Sequence, residues 1–454
     1  MKTDLLFEIT QLWENKNLSA IRLLLQDENP VDIAEILDEL DKKMLPAIYR
    51  LLPKELAAEV FVELDGEAEE RLIHALSDKE LSETLSELFY DDTADLIEEM
   101  PANVVKRILR NTSPADRAEI NKLLKFKDDS AGSIMTTEFV GLKKEMTVGQ
   151  ALDYIRRVAP DKETIYNCYV TDETRRLEGL ITARTLLLST PDSVIRDRME
   201  TNVISVKTTE DKEEVGRILA KYDFLALPVV DSENRLVGIV TYDDAMDVIS
   251  EETEEDFAIM AAITPTETPY LKTPVLRIFK TRIPWLMLLM LTSTVTGMII
   301  SSFESALAAK VILTMFIPVL MDTGGNCGSQ SSITVIRALS LGEVGFKDTL
   351  RVLFKEMRIA LLCSVCLAAA EFIKIMTVDR WINGNEITVL VAAAVSLTLI
   401  VTVFIAKLIG ATLPLAASRV GLDPAVVASP FITTLVDTIS LIVYFMMASS
   451  LLGL

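Results

Sequence analysis

The segment IPWLMLLMLTSTVTGMIISSF (283–303) runs for 21 residues without a charged side chain. A second uncharged segment, ITVLVAAAVSLTLIVTVFIA (387–406), is 20 residues long. A helix of about 20 apolar residues spans the hydrocarbon core of a bilayer, which is ~30 Å thick. Both segments are therefore predicted to be membrane-spanning helices, and the C-terminal part of the chain, residues 276–454, is predicted to be a membrane domain.

Three weaker apolar segments lie beside these two, and each contains one carboxylate. They are 308–336 with Asp322, 357–376 with Glu371, and 424–453 with Asp437. The prediction is thus five spans. With a cytosolic N-terminal half, ten of the thirteen basic residues after position 275 fall on the inside, as the positive-inside rule requires. We expect a multi-pass protein of the cell inner membrane, with its N-terminal domains in the cytosol and its C-terminus outside.

Charge separates the two halves of the chain. The 454 residues include 67 acidic and 45 basic side chains, for a net charge of −22. Residues 276–454 contain 10 acidic and 13 basic residues, so the acidic excess lies entirely in residues 1–275. An acidic surface repels nucleic acid and attracts cations. Nucleic acid is therefore excluded as a partner, and divalent cations and the lipid bilayer are expected.

The sequence offers little catalytic chemistry. His74 is the single histidine, and the chain has neither a phosphate-binding glycine loop nor a Ser/His/Asp constellation. Cys363 and Cys366 form a CxxC pattern inside an apolar segment without a histidine nearby, which is typical of packing and not of zinc. We do not expect an enzyme, and this also weakens the hypothesis of a membrane-tethered signalling receptor.

Residues 1–128 contain a repeat at steps of 12 residues. Its copies are VDIAEILDEL (31–40), KMLPAIYRLL (43–52), ELAAEVFVEL (55–64), EAEERLIHAL (67–76), KELSETLSEL (79–88) and DDTADLIEEM (91–100). Apolar residues recur three and four apart within each copy, which indicates amphipathic helices. Short stacked helices of this kind predict an α-helical superhelical N domain.

Residues 129–250 contain a second repeat. YVTDETRRLEGLIT (169–182) and PVVDSENRLVGIVT (228–241) align 59 residues apart, each as a strand, a polar turn and a strand. The repeat resembles a tandem pair of CBS domains, with expected limits 129–195 and 196–250. Many CBS pairs bind adenine nucleotides. ATP is therefore a candidate ligand of this CBS pair, although the segment lacks a clear Ser/Thr–Asp signature for binding the ribose.

Asp437 is a carboxylate within the last apolar segment, and it is the candidate functional residue there. An ionised side chain at the centre of a membrane helix costs at least ~2.5 kcal/mol on insertion scales, so it is expected to face a pore or a partner. Thr433 shares its helix face at i,i+4. Pro430 has no N–H to donate to the carbonyl of Val426, which leaves a backbone oxygen available. A structural aspartate bonded between helices is the alternative.

The motifs PVLMDTGGNCGSQ (318–330), GLDP (421–424) and TTLVD (433–437) resemble those of the MgtE family of bacterial Mg²⁺ channels, and the resemblance covers essentially the whole chain. It implies a homodimer with a central pore, in which Asp437 holds a hydrated ion, Thr433 helps, and Asp423 lies near the cytosolic mouth. The pore-lining motif that it implies comprises Pro318, Gly324, Gly325, Asn326, Gly328 and Gln330. The chain departs from the family pattern at Asp322, where a small neutral residue is expected, and at Ser429, where asparagine often precedes the proline. Both departures bear on conductance and ion preference.

The resemblance also implies a cytosolic sensor of Mg²⁺. SEETEEDF (250–257) opens a connecting plug helix, expected within residues 251–275. The implied sensor residues are Glu59, Asp91, Asp95, Asp211, Glu213, Asp223, Asp244, Asp247, Glu252, Glu255 and Asp256. Bridging Mg²⁺ would cancel the repulsion between these carboxylates and hold the pore shut, and loss of Mg²⁺ would let it open.

The expected function is therefore passive uptake of Mg²⁺ through a gated pore. A channel or transporter for Co²⁺, Mn²⁺ or Ni²⁺ is the alternative, because one pore aspartate does not select Mg²⁺. Transition metals prefer His or Cys ligands. Cys327 is the one such residue near the pore motif, which weakens the alternative.

Overall fold

The computed structural model describes residues 2–266, 270–271, 273–383, 386–427 and 429–453. Residues 267–269 and 272 of the predicted connecting segment therefore lie outside the described residues, as does the side chain of Ser429. The chain divides into two compact units, Met1–Ser250 and Glu251–Leu454.

The first unit begins with short helices whose ends are fixed by local capping. Within the described residues they are α1 Lys2–Glu14, α2 Leu18–Leu25, α3 Pro30–Glu39, α4 Met44–Tyr49, α5 Lys54–Val62, α6 Gly66–Ala75, α7 Asp78–Leu85, α8 Tyr90–Glu99, α9 Ala102–Asn111 and α10 Pro114–Leu123. Asn29 caps α3 by accepting from the N–H of Val31 at 3.0 Å, and Ser77 and Glu80 form a capping box on α7, as such residues do at helix starts. Their apolar faces form one continuous core, so the predicted stack of helices is confirmed.

Two α/β repeats follow and complete the first unit. Their elements are β1 Val140–Leu142, α11 Val148–Val158, β2 Asn167–Thr171, β3 Leu177–Thr182, α12 Ala183–Leu188, β4 Val206–Lys207, α13 Lys212–Tyr222, β5 Ala226–Val230, β6 Leu236–Thr241 and α14 Tyr242–Met260. The described strands form two sheets, β1-β2-β3 and β4-β5-β6, each with one parallel and one antiparallel pairing.

The aligned aspartates of the two repeats build the turns between strands. Asp172 accepts from the backbone N–H of Thr174 at 2.7 Å and of Arg176 at 2.9 Å. Asp231 accepts in the same way from Glu233 and Arg235, both at 2.9 Å. Aspartate is favoured in turns because its side chain can hydrogen-bond the backbone two residues on. The strand–turn–strand pattern predicted from the sequence is therefore confirmed.

Helix α14 continues through the expected boundary at residues 250 and 251. Ala245 and Val248 on its first half are buried, whereas its second half carries the run of carboxylates. The charged composition changes at this point, but the backbone does not, because glutamate is a good helix former. The domain limits expected from the sequence remain predictions.

The second unit has, among the described residues, five apolar helical stretches long enough to cross a membrane. They are Val275–Ser302, Val311–Ser340, Phe346–Ile382, Val389–Arg419 and Pro424–Leu452. Their α-helical parts are α15 Val275–Ser302, α17 Ile317–Ser340, α18 Thr349–Lys374, α19 Val389–Arg419 and α20 Ser429–Leu452, and the short α16 Glu304–Ala309 follows α15.

The stretches extend beyond the uncharged segments of the sequence, because charged turns continue the helices at their ends. Helix α17 packs against α19 and α20, and α18 packs against α19. The buried side chains of this unit include Phe316, Leu320 and Tyr444. The predicted class of fold is confirmed: a helical N-terminal region, two α/β repeats, a connecting helix and five apolar helices.

Candidate cation sites

Glycines of α17 allow its backbone to lie close to two neighbouring helices. A Cβ atom on Gly324 would be 2.8 Å from Thr402 Cγ2 in α19 and 2.9 Å from Ser440 Oγ in α20. A Cβ on Gly328 would be 2.9 Å from Ile432 Cγ2. Real Cβ contacts are longer than this, so side chains at these positions would force the helices apart. Small residues serve this purpose in membrane helix packing.

Gly325 brings the same helix against Thr433 and Asp437. A Cβ on Gly325 would be 2.7 Å from Thr433 Cγ2 and 3.5 Å from Asp437 Oδ1. Ser329 Oγ lies 3.2 Å from Thr433 Oγ1, within hydrogen-bond distance. The structure thus gathers Gly325, Ser329, Thr433 and Asp437 at one point between α17 and α20.

The carboxylate of Asp437 has an oxygen with no partner. Oδ1 is buried and accepts no hydrogen bond from the described residues. Most buried polar atoms in proteins have a partner, so an exception calls for an explanation such as a bound ion or water. Asp322 lies close enough for its carboxylate to repel that of Asp437. Two negative groups at this place favour a cation.

The predicted pore-lining motif divides between two faces of α17. Gly324, Gly325 and Gly328 are buried against the neighbouring helices. Pro318, Asn326 and Gln330 are exposed, and Asp322 is exposed at the same four-residue spacing. Residues four apart share a helix face, so Asp322, Asn326 and Gln330 form a polar stripe on α17, which begins after Pro318 and which we call the α17 stripe.

Asp423 has a local structural role. Its Oδ1 accepts from the N–H of Ala425 at 2.7 Å, at the start of the short turn Pro424–Val427 that precedes α20. The side chain is exposed. Its predicted position near a pore mouth stays a prediction.

A second group of carboxylates lies in the first unit, around α8 and the start of α14. Asp91 is buried, and its Oδ1 has no hydrogen-bond partner among the described residues. Burial, followed by repulsion from Asp92, Asp244 and Glu163, raises the pKa of Asp91 well above its usual value. Asp244 Oδ2 accepts from Thr241 Oγ1 at 2.5 Å, and burial raises its pKa as well.

Other members of this group show the same crowding. Burial and neighbouring carboxylates raise the pKa of Asp92 to about 6, of Asp95 to about 7 and of Glu163 to about 8. Burial, then the charge of Asp243, raises the pKa of Asp247. We call Asp91, Asp92, Asp95, Glu163, Asp244 and Asp247 the acidic cluster. It joins the helical repeat to the α/β repeats.

Three residues at this contact are missed by the sequence patterns. Glu163 lies in the loop before β2, where no motif marks it, and Asp92 is adjacent to the predicted Asp91. Glu138 also connects the α/β repeats to the helical repeat. Its Oε2 accepts a hydrogen bond from the N–H of Tyr90, at the start of α8, at 2.9 Å. The doubled aspartate at 91 and 92 is the one sequence signal that could have identified a member.

The remaining predicted sensor residues have separate surroundings. Glu59 is exposed on α5. Asp211 caps α13 by accepting from the N–H of Glu213 at 2.9 Å, and Glu213 pairs with Arg217 at 3.2 Å. Asp223 ends α13 in a left-handed conformation, with φ of 53°.

The connecting helix carries the last three predicted sensor residues, Glu252, Glu255 and Asp256. Asp256 Oδ2 accepts from Ser340 Oγ at 3.4 Å, at the end of α17. Among the residues that the structure describes, no group of three or more His, Cys, Asp or Glu side chains is arranged to hold a metal ion. The carboxylates are therefore crowded, but they do not form a preassembled cage.

Comparison with known proteins covers every part of the chain. A family described as a divalent cation transporter matches residues 317–447, an MgtE intracellular N domain matches residues 28–129, and CBS domains match residues 131–190 and 195–251. The magnesium transporter MgtE of Thermus thermophilus is 38% identical over 456 residues, which cover 100% of this chain and 99% of that protein. The magnesium transporter MgtE of Bacillus subtilis is 32% identical over 98% of this chain and 97% of its own length.

Two solved structures resemble the first part of the chain. One is described as the cytosolic domain of the Mg²⁺ channel MgtE in complex with ATP. It has 39% identity and a TM-score of 0.51, and the match covers 54% of this chain and 99% of that chain. The other is described as the soluble part of a magnesium transporter. It has 31% identity and a TM-score of 0.52, over 56% of this chain and 99% of that chain.

Proposed function

Since this chain belongs to the MgtE family of divalent cation transporters, we propose that it carries Mg²⁺ across the cell inner membrane and that Asp437 is the carboxylate that meets the ion. The observation that carries this proposal is the buried Oδ1 of Asp437, which has no partner among the described residues. A charged group inside an apolar helix is costly and normally faces a partner or a water-filled path. A passing cation supplies that partner.

The surroundings of Asp437 suit a hydrated ion. Mg²⁺ releases its water reluctantly and is usually held by one or two carboxylates together with several waters. Gly325 has no side chain, so the backbone of α17 comes close to Asp437, and a Cβ there would be 3.5 Å from Oδ1. The hydroxyls of Ser329 and Thr433 lie on the same side of this contact and can bind the water of a hydrated ion.

The α17 stripe supports a dimeric pore. Asp322, Asn326 and Gln330 are exposed in the single chain, yet polar side chains in the hydrocarbon region face protein or water and not lipid. A second copy related by a two-fold axis would cover the stripe and enclose a polar path. We therefore propose that the chain works as a homodimer, in which both copies of Asp437 serve one pore.

The acidic cluster supports gating by cytosolic Mg²⁺. Its carboxylates lie close together at the contact of the N domain and the CBS pair, with Asp91 buried, and desolvation and mutual repulsion raise the pKa values of Asp91 and Glu163. A bound Mg²⁺ would relieve that repulsion and stabilise the contact. Asp256, through Ser340, offers a direct connection from the plug helix to the end of α17. High cytosolic Mg²⁺ would then hold the pore closed, and low Mg²⁺ would release it.

The orientation is proposed from the basic residues, with the N-terminal domains in the cytosol and the C-terminus outside.

ATP is a second ligand worth testing at the CBS pair. The solved cytosolic domain of a relative was crystallised with ATP, and titration of ATP into this chain would answer the question for it.

A channel for Co²⁺, Mn²⁺ or Ni²⁺ is the other candidate. Cys327 packs within the hydrophobic cluster of the membrane domain, so its sulfur is placed for packing and not for a metal in a pore. Oxygen ligands suit Mg²⁺, whereas soft or imidazole ligands suit transition metals. The arrangement therefore favours Mg²⁺.

Uptake into reconstituted vesicles tests the proposal. Vesicles containing the protein, with little internal Mg²⁺ and a Mg²⁺-sensitive dye inside, should fill with Mg²⁺ faster than empty vesicles. An inert mimic of hydrated Mg²⁺, such as a cobalt hexaammine ion, should compete better than Mn²⁺. Uptake no faster than in empty vesicles would contradict the proposal, and stronger competition by Mn²⁺ would favour the alternative.

A further inference from the structure

Three polar side chains from three different helices meet inside the membrane domain. They are Ser331 on α17, Glu356 on α18 and Lys407 on α19, and their exposed fractions are 2%, 6% and 4%. Ser331 Oγ donates to Glu356 Oε2 at 2.5 Å. Lys407 Nζ donates to Ser331 Oγ at 3.5 Å. The single hydroxyl of Ser331 thus connects a buried acid to a buried base.

This network is costly as a means of stabilising the fold. Removing a carboxylate and an ammonium from water carries a large penalty, and their attraction often fails to exceed what well-packed apolar side chains of similar size would give. Ionisable groups inside membrane helices are rare and commonly mark a functional element. A role beyond simple packing is therefore expected for Glu356 and Lys407.

The network lies on the same turn of α17 that touches the ion site. Ser329, two residues before Ser331, contacts Thr433 of α20. Ser332 Oγ donates to the carbonyl of Val427, just before α20, at 3.4 Å. Residues two apart point to nearly opposite sides of a helix. One side of this turn is therefore fixed to α18 and α19, and the other faces Asp437 and its neighbours.

We infer that Glu356 and Lys407 are positioning residues for ion passage. Acting through Ser331, they fix the rotation of α17 about its axis and its position along that axis. In this position Gly325 and Ser329 lie against Thr433 and Asp437. Neither side chain touches the ion. The inference rests on the proposed function, since it assumes that the ion passes at Asp437.

Two variants test the inference on the full chain. The double variant Glu356→Gln with Lys407→Met removes both charges together and keeps similar side-chain sizes, so no single charge is left buried alone. Ser331→Ala removes the connecting hydroxyl and no charge. Ser364→Ala is the matched control, because Ser364 is equally buried in α18 and its hydroxyl donates to Leu361 in its own helix.

Two quantities are measured for each purified variant. They are the thermal midpoint of unfolding and the Mg²⁺ uptake into vesicles over a range of external Mg²⁺ concentrations. We expect a midpoint close to that of the unchanged protein, with the half-saturating Mg²⁺ concentration raised at least about threefold in both test variants, as expected for a lost hydrogen bond. Ser364→Ala should change neither quantity. If the double variant does not fold, the half-saturating Mg²⁺ concentration of Ser331→Ala alone tests the inference.

An unchanged half-saturating concentration in a folded test variant would overturn the inference. So would a loss of uptake that merely follows a lower midpoint, because that indicates a structural role alone. Failure of the proposed function is distinguishable. It would appear as normal uptake by an Asp437→Asn variant, whereas failure of this inference alone leaves Asp437 essential and the Glu356, Lys407 and Ser331 variants normal.

Discussion

Ser329 Oγ on α17 and Thr433 Oγ1 on α20 lie 3.2 Å apart, one helical turn from Asp437. Thr433 and Asp437 share a face of α20, and Gly325 and Ser329 share the facing side of α17. The hydroxyl pair therefore joins the two helices beside the carboxylate that we propose meets the ion. It fixes the distance between them at the point where the ion would pass.

Removing the hydroxyl of Thr433 should weaken ion binding without abolishing it. Thr433→Val keeps the side-chain shape and loses the hydrogen bond to Ser329. A hydrogen bond of this kind contributes about 0.5–1.5 kcal/mol, or roughly two- to tenfold in affinity. The half-saturating Mg²⁺ concentration for vesicle uptake should rise by that factor. Thr434→Val is the control, because Thr434 donates to Pro430 of its own helix. Equal effects of the two variants would argue against a local role of Thr433.

A methyl group at position 325 should disturb the contact of α17 with α20. The added carbon would be 2.7 Å from Thr433 Cγ2, and overpacking of this kind costs about 1–3 kcal/mol. We expect Gly325→Ala to lower both the thermal midpoint and Mg²⁺ uptake.

Gly297→Ala on α15 is the matched control for this substitution, since a Cβ there has none of the described residues within 4 Å. Alanine is also the better helix former, by about 1 kcal/mol, so this variant should be as stable as the original or slightly more so. A Gly325→Ala protein that behaves like Gly297→Ala would show that the close helix approach is unimportant.

The acidic cluster should make the cytosolic unit less stable as pH rises when Mg²⁺ is absent. Burial and neighbouring charges raise the pKa of Asp95 to about 7 and of Glu163 to about 8 in the folded state. The folded state therefore binds protons that the unfolded chain releases from about pH 4 upward, and this stabilisation is lost as pH rises through the folded pKa values.

The thermal midpoint of the full chain, measured in detergent without Mg²⁺, should thus be several degrees lower at about pH 8.5 than at about pH 6. Added Mg²⁺ should reverse most of the loss at the higher pH. A midpoint independent of pH over this range would contradict the electrostatic account of the cluster.

Neutralising Asp91 should imitate bound Mg²⁺. Asp91→Asn removes a buried carboxyl group whose pKa is raised by burial and by its acidic neighbours, and with it the free-energy cost of either burying the charge or binding a proton. The Mg²⁺-free protein should gain on the order of 1 kcal/mol near neutral pH, or a few degrees in Tm, and Mg²⁺ should then stabilise it less. Asp153→Asn is the control, because Asp153 is exposed and pairs with Arg156 at 2.7 Å. Unchanged stabilisation by Mg²⁺ in Asp91→Asn would remove Asp91 from the sensor.

Much of the fold could be predicted from local sequence signals. An uncharged run as long as 283–303 leaves a membrane helix as the natural structure, and the aligned Asp172 and Asp231 indicate turns whose hydrogen bonds the structure shows. Asp437 is identifiable for the same reason, because a carboxylate in an apolar helix is costly and therefore conspicuous. Helix ends were less predictable, since charged turns extend the spans beyond their apolar segments.

Contacts between distant residues could not be predicted from these signals. Glu163 is distant from Asp91 and Asp92 in the sequence, and only the folded chain brings its carboxylate near theirs. Lys407 is one of the ten basic residues that the positive-inside rule assigns to the cytosolic side, yet the structure buries it to 4% exposure beside Ser331. The pore-lining motif is continuous in sequence, but helical geometry divides it into a buried glycine face and the exposed α17 stripe. Such arrangements depend on which helix neighbours each face.

Mg²⁺ uptake by the Asp437→Asn protein tests the central claim most directly. Asparagine keeps the size of the side chain and removes its charge, and Glu304→Gln, at an exposed acid of the same domain, controls for the loss of one charge. With both variants folded in equal amounts in vesicles, Asp437→Asn should fall to the background of empty vesicles. Glu304→Gln should remain within about twofold of the unchanged protein, as surface substitutions usually do. Uptake by Asp437→Asn at the unchanged rate would contradict the assignment of Asp437 as the residue that meets the ion.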